Sequence, residues 1–534
     1  MSTIQSPPLP FLSPGAHEPL RRTAGKTLAV GVFAVLVLVR LPFFLTSTVQ
    51  EDSYISWRCA RNLVEHGVYG FNPAERVSAS TTHLYVLLSA ATMVIAGDHF
   101  VPLLIALNTA LFLLGLLLLC RLLEPDPRRG LLLWLISGML PVAFDMTTLG
   151  METSLLFFLL SVLVWTVHSS RWPLAAVVLC LLPWVRPDSA VFSVIILLYA
   201  WWRTRCLPWK LALALTMGYL AVGLFNYFYF GQLINQTIVA KSVCYHPLRT
   251  FGAMAERLKV VFIGDAIHTG IFGLLSTKYL TWLNGPIAVI VTATLFVFLA
   301  KPHPRGVIGP WLLGLAIVPP AFYAAAGAMF PWYFAPSVEI GLLLLCATIL
   351  YGLTRCPLKL ARALTVALVF IILTVSAGKW YLTATDFGPR FLTGIGKYIA
   401  GVAKSRDTLL LEPAGFIPFY ARIFTFDEVG LVSPQVTTYM RRFGVEGWWL
   451  PFLHDFHPTF VLERRPFRTE GRLSRDTALT PEQLGEFFAD YELVKSFECS
   501  PGDYFKSPFM LKLAGLRTCI PFDLYQRRVS KERD

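Results

Sequence analysis

Long apolar runs separated by short polar loops dominate the chain from Leu28 to Ser376. A helix needs about 20 mostly apolar residues to cross a bilayer, and the first such run extends from Leu28 to Leu45. Counting the runs as far as Val375 predicts about eleven spans. We therefore expect a polytopic α-helical membrane region over residues 28–378.

Leu84–Ala96 is too short for one ordinary span, and Trp172–Trp202 is too short for two ordinary spans plus a turn. We interpret Leu84–Ala96 as a helix on the membrane surface, within a first outer loop of residues 46–100. Trp172–Trp202 predicts a tight hairpin with Arg186-Pro187-Asp188 at its tip. The short basic loops decide this threading, because loops rich in lysine and arginine stay in the cytoplasm.

The two ends of the chain differ from the apolar middle. Residues 1–27 have no apolar core and predict a disordered cytoplasmic tail. From Lys379 onwards, short apolar strands such as Thr408–Leu411 alternate with helix-like stretches such as Pro481–Asp490. This alternation predicts a small α/β domain over residues 379–534 on the outer face.

A disulfide is permitted on the outer face, and two cysteines of the predicted α/β domain are candidates for one. Cys499 and Cys519 either form this bond or remain free thiols, because sequence alone does not fix their separation.

Composition and charge support a membrane protein and argue against two other classes. The 534 residues are 55% hydrophobic and 15% charged, whereas soluble domains carry about 25% charged residues. The net charge of +13 comes largely from loops between spans, so no nucleic-acid partner is needed to explain it. The chain has no glycine-rich phosphate loop, which argues against a nucleotide-driven pump.

The threading brings several ionisable side chains to the outer side, where each is a functional candidate. Each also has a plainer interpretation: the acidic pair as a solvated loop, Arg186 and Asp188 as partners of each other, and the lysine as a snorkelling side chain. Their coincidence on one face favours a shared site. The residues are Glu51, Asp52, Glu152, Arg186, Asp188 and Lys241.

Carboxylates and cations at a membrane surface suit glycosyl transfer from a lipid-phosphate donor. A carboxylate can deprotonate an acceptor hydroxyl, and an arginine or lysine can hold the phosphate of the leaving lipid. A polyprenyl-phosphate sugar also needs an apolar groove for its tail, which a bundle of spans supplies.

Motifs along nearly the whole chain resemble those of the bacterial GT-C glycosyltransferases. The first is Glu51–Leu63, continuing through Gly70–Val77, which is similar to the first outer loop of that family. Among its members the chain looks most like the arabinofuranosyltransferases that use decaprenyl-phosphate arabinose. Further matches in order are Gly150–Thr153, Arg186–Asp188, Gly231 with Thr237–Lys241, Pro331–Tyr333, Gly415 with Asp427, Gly430–Pro434 and Leu524-Tyr525.

The resemblance implies an inverting transferase with its active site on the outer face of the bacterial inner membrane. It assigns the general base to Asp52 and a helper role to Glu51. It places the donor phosphate near Lys241 and Arg186, across the sugar from the base. Glu152, Asp188, Tyr54, Arg58, Trp332, Tyr333 and His83 are the candidates for other substrate contacts.

Some of these roles have plainer alternatives. Trp332 and Tyr333 either stack on the substrate or anchor the chain at the membrane interface. His83 either touches phosphate or is incidental. Some family members use a divalent metal and others do not, so no metal is assigned.

The sequence departs from the family pattern at three points. Glu51-Asp52 replaces the usual Asp-Asp, Asn235-Gln236-Thr237 replaces Pro-Asn-Thr, and Ala74 replaces a glycine. The acceptor is expected to be a cell-envelope glycan, lipid or protein. Two other functions stay open: a transporter or flippase of lipid-linked sugar, and a non-catalytic assembly subunit that binds glycan.

Overall fold

The computed structural model describes residues 18–46, 49–244, 250–263, 308–327, 330–353, 388–465, 467, 479–499 and 520–528, with scattered positions between 357 and 377. Helices fill the first two thirds of this described part. They are α1 Glu18–Leu38, α2 Leu41–Thr46, α3 Ser53–His66, α4 His83–Ala96, α5 Phe100–Leu123, α6 Pro127–Gly138, α7 Pro141–Thr148, α8 Thr153–His168, α9 Trp172–Val185, α10 Ser189–Thr204, α11 Trp209–Phe230, α12 Gln236–Cys244, α13 Phe251–Ile263, α14 Gly309–Ala326 and α15 Pro331–Leu353.

Helices and strands alternate in the C-terminal part. The helices are α16 Gly388–Val402, α17 Phe416–Ala421, α18 Pro434–Phe443, α19 Trp449–Phe456 and α20 Pro481–Asp490. The strands are β1 Thr408–Leu411, β2 Phe424–Asp427, β3 Phe460–Arg464, β4 Tyr491–Phe497 and β5 Phe522–Arg527. The predicted strand Thr408–Leu411 and the predicted helix Pro481–Asp490 are both present with the predicted bounds.

Among the described residues, four helical segments are long and apolar enough to cross a membrane, or five if the bent pair α6 and α7 is one span. The four are residues 83–123, Trp209–Phe230, Gly309–Ala326 and Trp332–Leu353. Of four shorter apolar helices, Lys26–Leu38 precedes these segments in the chain, and α8, α9 and α10 lie between the first and the second of them. The apolar runs Tyr279–Ala300 and Leu364–Val375 are counted as spans in the sequence. All of the first and most of the second lie outside the described residues, so the count of about eleven stays a prediction.

The first of the long segments joins α4 to α5 through a short 3₁₀ turn at Gly97–His99. Its 41 residues would reach about 60 Å as one straight helix, roughly twice the apolar thickness of a bilayer. The helix α4 ends at Gly97, which has a positive φ of 55°. The stretch Leu84–Ala96 is therefore a helix of its own, and its place at the membrane surface stays a prediction.

The sheet is mixed and has the strand order β2-β1-β3-β5-β4. Strand β1 runs parallel to β2 and β3, whereas β5 is antiparallel to β3 and β4. Both faces are covered: Leu410 and Val461 pack on one side, and Leu409, Leu411 and Leu462 pack on the other. The short apolar strands of the sequence are thus buried on both faces, as in other α/β sheets.

The sheet region and the helical region share one apolar core. Phe416 and Phe419 of α17 belong to the same buried cluster as residues of α3, α5 and α8. The first residues of α3 and the segment around α17 therefore meet at this junction, and the acidic pair Glu51-Asp52 lies there.

Candidate active site

Backbone contacts fix Glu51 and Asp52 at the first turn of α3. The Gln50 amide donates to the carbonyl of Leu149 at 2.9 Å, and the Ser53 hydroxyl donates to the same carbonyl at 2.6 Å. Asp52 is the residue at the N-terminal cap of α3. The pair is held against the turn that precedes Glu152, as a shared site requires.

Gly415, in the sheet region, contacts Glu51 directly. Its backbone N–H donates to the Glu51 carboxylate, and a Cβ at this position would collide with both the carboxylate and the backbone carbonyl of Glu51. Only glycine allows so close an approach. The α/β region thus contributes directly to the position of the acidic pair.

The two carboxyl groups do not hold protons equally. Burial, reinforced by the neighbouring Asp52, raises the pKa of Glu51 well above its usual value. Burial also raises the pKa of Asp52, but Lys241 and a hydrogen bond from Glu51 oppose that rise. When the pair carries one proton, these opposing effects favour Glu51 as its site and leave the charge on Asp52.

Lys241 of α12 is the cation that acts on this pair. Its Nζ donates to the Tyr333 hydroxyl at 3.0 Å and lies 4.5 Å from the centre of the Phe330 ring. Its charge favours the ionised forms of both Asp52 and Glu152.

Arg186 forms the second cationic centre, between α9 and α10. Its guanidinium makes a bidentate pair with Asp188, with bonds of 2.9 and 2.5 Å. Nη1 lies 3.7 Å from a Glu152 oxygen and has no hydrogen-bond partner among the described residues. The side chain is 2% exposed, so Nη1 is a buried donor without an acceptor.

Two tyrosines complete this centre. The Tyr323 hydroxyl donates to Asp188. Beside it, burial raises the pKa of Glu152, and the charge of Arg186 opposes that rise. The Arg186 guanidinium lies 4.3 Å from the centre of the Tyr333 ring. Because Lys241 donates to the hydroxyl of that same ring, Tyr333 connects the two cations.

Tyr54 and Arg58 lie at the junction with the sheet region. Tyr54 packs against Phe416 and Phe419, with ring centres 4.2 and 4.9 Å away. Arg58 is 4% exposed and donates to the carbonyls of Phe71, Pro418 and Ile423 at 2.8, 2.6 and 2.6 Å. The first sequence motif therefore docks the two regions together.

His83 and Trp332 lie in different surroundings from the acidic pair. His83 is 1% exposed, and its ring nitrogens contact the Tyr69 hydroxyl at 2.9 Å and the Asn235 amide at 3.4 Å. Trp332 is half-buried and stacks on Phe330 with ring centres 5.1 Å apart. It lies beside the aromatic group that holds Lys241.

Sequence reasoning did not assign a role to Tyr323, Phe330 or Gly415. A signal for Tyr323 was available, since it directly follows the apolar run Val307–Phe322, at the end where the other outer candidates lie. The contact between Gly415 and Glu51 joins residues 364 positions apart, which no local pattern encodes.

The described residues bring together no group of three or more histidines, cysteines or carboxylates that could hold a metal. Glu51 and Asp52 offer two carboxyl groups, and Glu51 is engaged by Gly415. No metal is assigned to these described residues, and no step is derived through one. In the sheet region Cys499 is disulfide-bonded, and Cys519 lies outside the described residues.

The arrangement separates a basic group from an anion-binding group. The acidic pair favours a charged Asp52 beside a protonated Glu51, and the ring of Tyr333 contacts both cations, Lys241 and Arg186. Such a site can accept a proton at Asp52 and bind an anionic group at Lys241 and Nη1 of Arg186.

Comparisons with known proteins relate parts of the chain to others. Residues 385–512 match a domain of unknown function, DUF8728. Over 255 residues the chain is 29% identical to the terminal β-(1→2)-arabinofuranosyltransferase of Mycobacterium tuberculosis, covering 40% of this chain and 38% of that protein. The chain thus spans well under half the length of this curated relative.

Solved structures match a larger share of the chain. ArnT from Cupriavidus metallidurans bound to undecaprenyl phosphate superposes with a TM-score of 0.50 at 12% identity, covering 94% of this chain and 98% of that one. The oligosaccharyltransferase AglB from Archaeoglobus fulgidus, with an inhibitory peptide and a dolichol-phosphate, gives 0.50 at 14% identity, covering 82% and 69%. This chain therefore has the fold of the GT-C membrane glycosyltransferases.

Proposed function

We propose that the protein is an inverting glycosyltransferase that moves a sugar from a polyprenyl-phosphate donor to a cell-envelope acceptor. The observation that carries the proposal is the buried Glu51-Asp52 pair, in which Gly415 contacts Glu51 and the charge of Lys241 favours the ionised form of Asp52. The fold supports it, since two structural neighbours were solved with undecaprenyl phosphate or dolichol-phosphate bound.

Asp52 is the general base in this mechanism. The acceptor hydroxyl attacks the anomeric carbon, its proton passes to the Asp52 carboxylate, and the bond between that carbon and the phosphate oxygen breaks. The electron pair of the broken bond leaves with polyprenyl phosphate. The raised pKa of Asp52 makes it a stronger base than an exposed aspartate.

Glu51 keeps Asp52 available as the base. Its carboxyl donates a hydrogen bond to Asp52 and is itself positioned by Gly415. Because Glu51 already carries the shared proton, it is a positioning residue and takes no proton from the acceptor.

Lys241 and Arg186 hold the leaving phosphate. The Nη1 donor of Arg186 is buried without a hydrogen-bond acceptor, and a phosphate oxygen would supply one. Asp188 fixes the guanidinium plane through its bidentate contact, and Glu152 lies beside Nη1. Tyr333 aligns both cations, so its ring positions them for one phosphate group.

The remaining candidates shape the site from further away. We propose that Trp332 lines the donor side beside Phe330. Tyr54 and Arg58 hold the α/β region against α3, and His83 stabilises the packing of α4. These three are proposed as supporting residues because their polar atoms are engaged by the protein.

The alignment with the mycobacterial enzyme makes arabinofuranose the first donor sugar to test. The site is proposed to face the outer side of the bacterial inner membrane, with the N-terminus in the cytoplasm and the α/β region outside. The positive loops of the sequence support this orientation.

A donor panel tests the proposal. Purified protein is incubated with a donor, either polyprenyl-phosphate arabinofuranose or a polyprenyl-phosphate hexose, and with arabinan or mannan oligosaccharides as acceptors. The masses of the products are measured by mass spectrometry. We expect mass gains of one pentose with one donor class. Absence of transfer from every donor, together with movement of labelled donor across vesicles, would contradict the proposal and favour a transporter.

A further inference from the structure

An apolar groove of about 540 Å³ lies at the end of the α9–α10 hairpin remote from Arg186. It is bounded by the beginning of α9, the end of α10 and the beginning of α11. Because α9 begins at Trp172 and reaches Arg186 only after 14 residues, the groove lies about 20 Å along the hairpin from the candidate active site. Its walls include Trp172, Pro173, Ala176, Leu207, Trp209 and Leu211.

The groove opens towards the surface that these helices present to lipid. Leu207 and Trp209 at its edge are 70% and 59% exposed, and Leu174 and Leu213 on the adjoining faces are also exposed. In a chain with this fold, exposed apolar residues at the end of a span contact acyl chains, and exposed tryptophans mark the membrane interface.

Basic residues surround the groove without matching acids. Arg171, Arg203, Arg205 and Lys210 all lie beside it in the chain and are exposed. Between residues 169 and 210, which the structure describes fully, the sequence has one acid, Asp188, at the opposite end of the hairpin.

Arg205 and Lys210 are the two of these cations that lie near tryptophan rings. Arg203 donates to the carbonyls of Val167 and His168, which engages it with α8. Arg205 lies 5.6 Å from the Trp202 ring centre, and Lys210 lies 5.6 Å from the Trp209 ring centre. Lys210 lines the groove, and Arg205 lies in the chain between the lining residues Thr204 and Cys206. Two exposed cations beside an apolar groove suit a phosphate above acyl chains.

We propose that this groove binds an anionic phospholipid of the surrounding bilayer. An acyl chain lies along the apolar wall formed by Trp172, Ala176 and Leu211, and the headgroup phosphate lies near Arg205 and Lys210. The charge of the rim selects an anionic lipid over a zwitterionic one, because the described segment 169–210 places cations and no acid at this end of the hairpin. The bound lipid anchors the hairpin whose other end carries Arg186 and Asp188.

Native mass spectrometry of the full chain tests this proposal. Protein in neutral detergent is titrated with phosphatidylglycerol or phosphatidylcholine, and the bound lipids are counted. We expect the wild type to bind one phosphatidylglycerol in preference to phosphatidylcholine, and R205Q/K210Q to bind it about tenfold more weakly. The matched control R128Q/R129Q removes the same charge from another exposed basic loop and should bind as the wild type does.

Either of two results would overturn the proposal. One is unchanged phosphatidylglycerol binding by R205Q/K210Q, and the other is an equal loss in R128Q/R129Q, which would indicate general charge attraction.

A second readout uses the wild-type chain and so does not depend on the variants folding. Cys206 is a free, exposed thiol that lines the groove, and its alkylation is followed by peptide mass. Phosphatidylglycerol should slow this alkylation at least severalfold, whereas phosphatidylcholine should not. Equal rates with both lipids would contradict the proposal, whatever the transferase assays show.

Discussion

At the scale of single residues, the environment makes two neighbouring carboxyl groups unequal. Glu51 is held by the Gly415 amide and keeps the shared proton, whereas Lys241 keeps Asp52 ionised. Adjacent acids in a sequence give no indication of which will be the base. That distinction comes from α12 and the α/β region, both far away in the chain.

The pH dependence of transfer should reflect this environment. Burial raises the pKa of Asp52, so the acidic limb of kcat/KM should lie above the pKa of about 3.9 of an exposed aspartate. Activity needs the ionised base and is therefore lost as the pH falls through the raised value. Lys241→Gln removes a charge that lowers the pKa, so we expect its acidic limb at higher pH than that of the wild type.

A low residual activity of Lys241→Gln is sufficient for this measurement, because the pH at which kcat/KM falls does not depend on the size of kcat/KM. Lys241→Arg retains the charge and serves as the control. An acidic limb at the same pH in all three proteins would show that Lys241 does not act on the base.

At the scale of elements, the junction between α3 and α17 depends on a few side chains. The side chain of Arg58, in α3, donates to the carbonyls of both Pro418 and Ile423. Arg58→Lys cannot reproduce this fork of donors and leaves buried carbonyls unpaired. We expect a loss of about 2–4 kcal/mol of stability, seen as a lower thermal midpoint in detergent. Arg406→Lys, at an exposed position, should leave the midpoint unchanged.

Gly415→Ala tests the same junction at the site itself. The added methyl group collides with Glu51, so we expect the pair to be displaced and transfer to fall at least tenfold while the protein stays folded. Gly401→Ala is the matched control, because a Cβ there meets no atom within 4 Å. Equal activity of the two variants would show that the Gly415 contact is not needed.

Sequence patterns predicted some elements closely. The break between α9 and α10 occurs at the predicted tip, Arg186–Asp188. The hairpin was predictable because the apolar run is too short for two spans and a turn. The antiparallel position of β5 between β3 and β4 was not predictable, since strand order depends on pairings between residues about 60 positions apart. Tyr54 and Arg58 were recognised as a motif, but the pattern does not tell a residue that contacts substrate from one that docks a neighbouring region.

At the scale of the whole molecule, the candidate site is assembled from distant parts of the chain. Asp52 caps α3, Lys241 and Tyr333 belong to α12 and α15, and Gly415 belongs to the α/β region. Charge patterning predicted that Asp52 and Lys241 lie on one side. Their contacts required the fold, which aligns the ends of helices that are separate in sequence.

Cys206 and the α/β region should lie on opposite sides of the membrane. We expect a membrane-impermeant maleimide to label Glu482→Cys, in a Cys206→Ser background, on intact cells stripped of their outer layers, because position 482 is exposed on α20. Cys206 in the wild type should be labelled only after the membrane is opened. Labelling of both from the same side would overturn the threading and the shared outer site.

Sugar transfer by Asp52→Asn, compared with the wild type and Glu51→Gln, tests the central claim most directly. Glutamine reproduces the neutral Glu51, so Glu51→Gln should retain transfer within about tenfold of the wild type. Asparagine cannot accept the proton, so Asp52→Asn should lose about 10²–10⁴-fold in kcat with the donor's KM little changed. Undiminished transfer by folded Asp52→Asn would contradict the account.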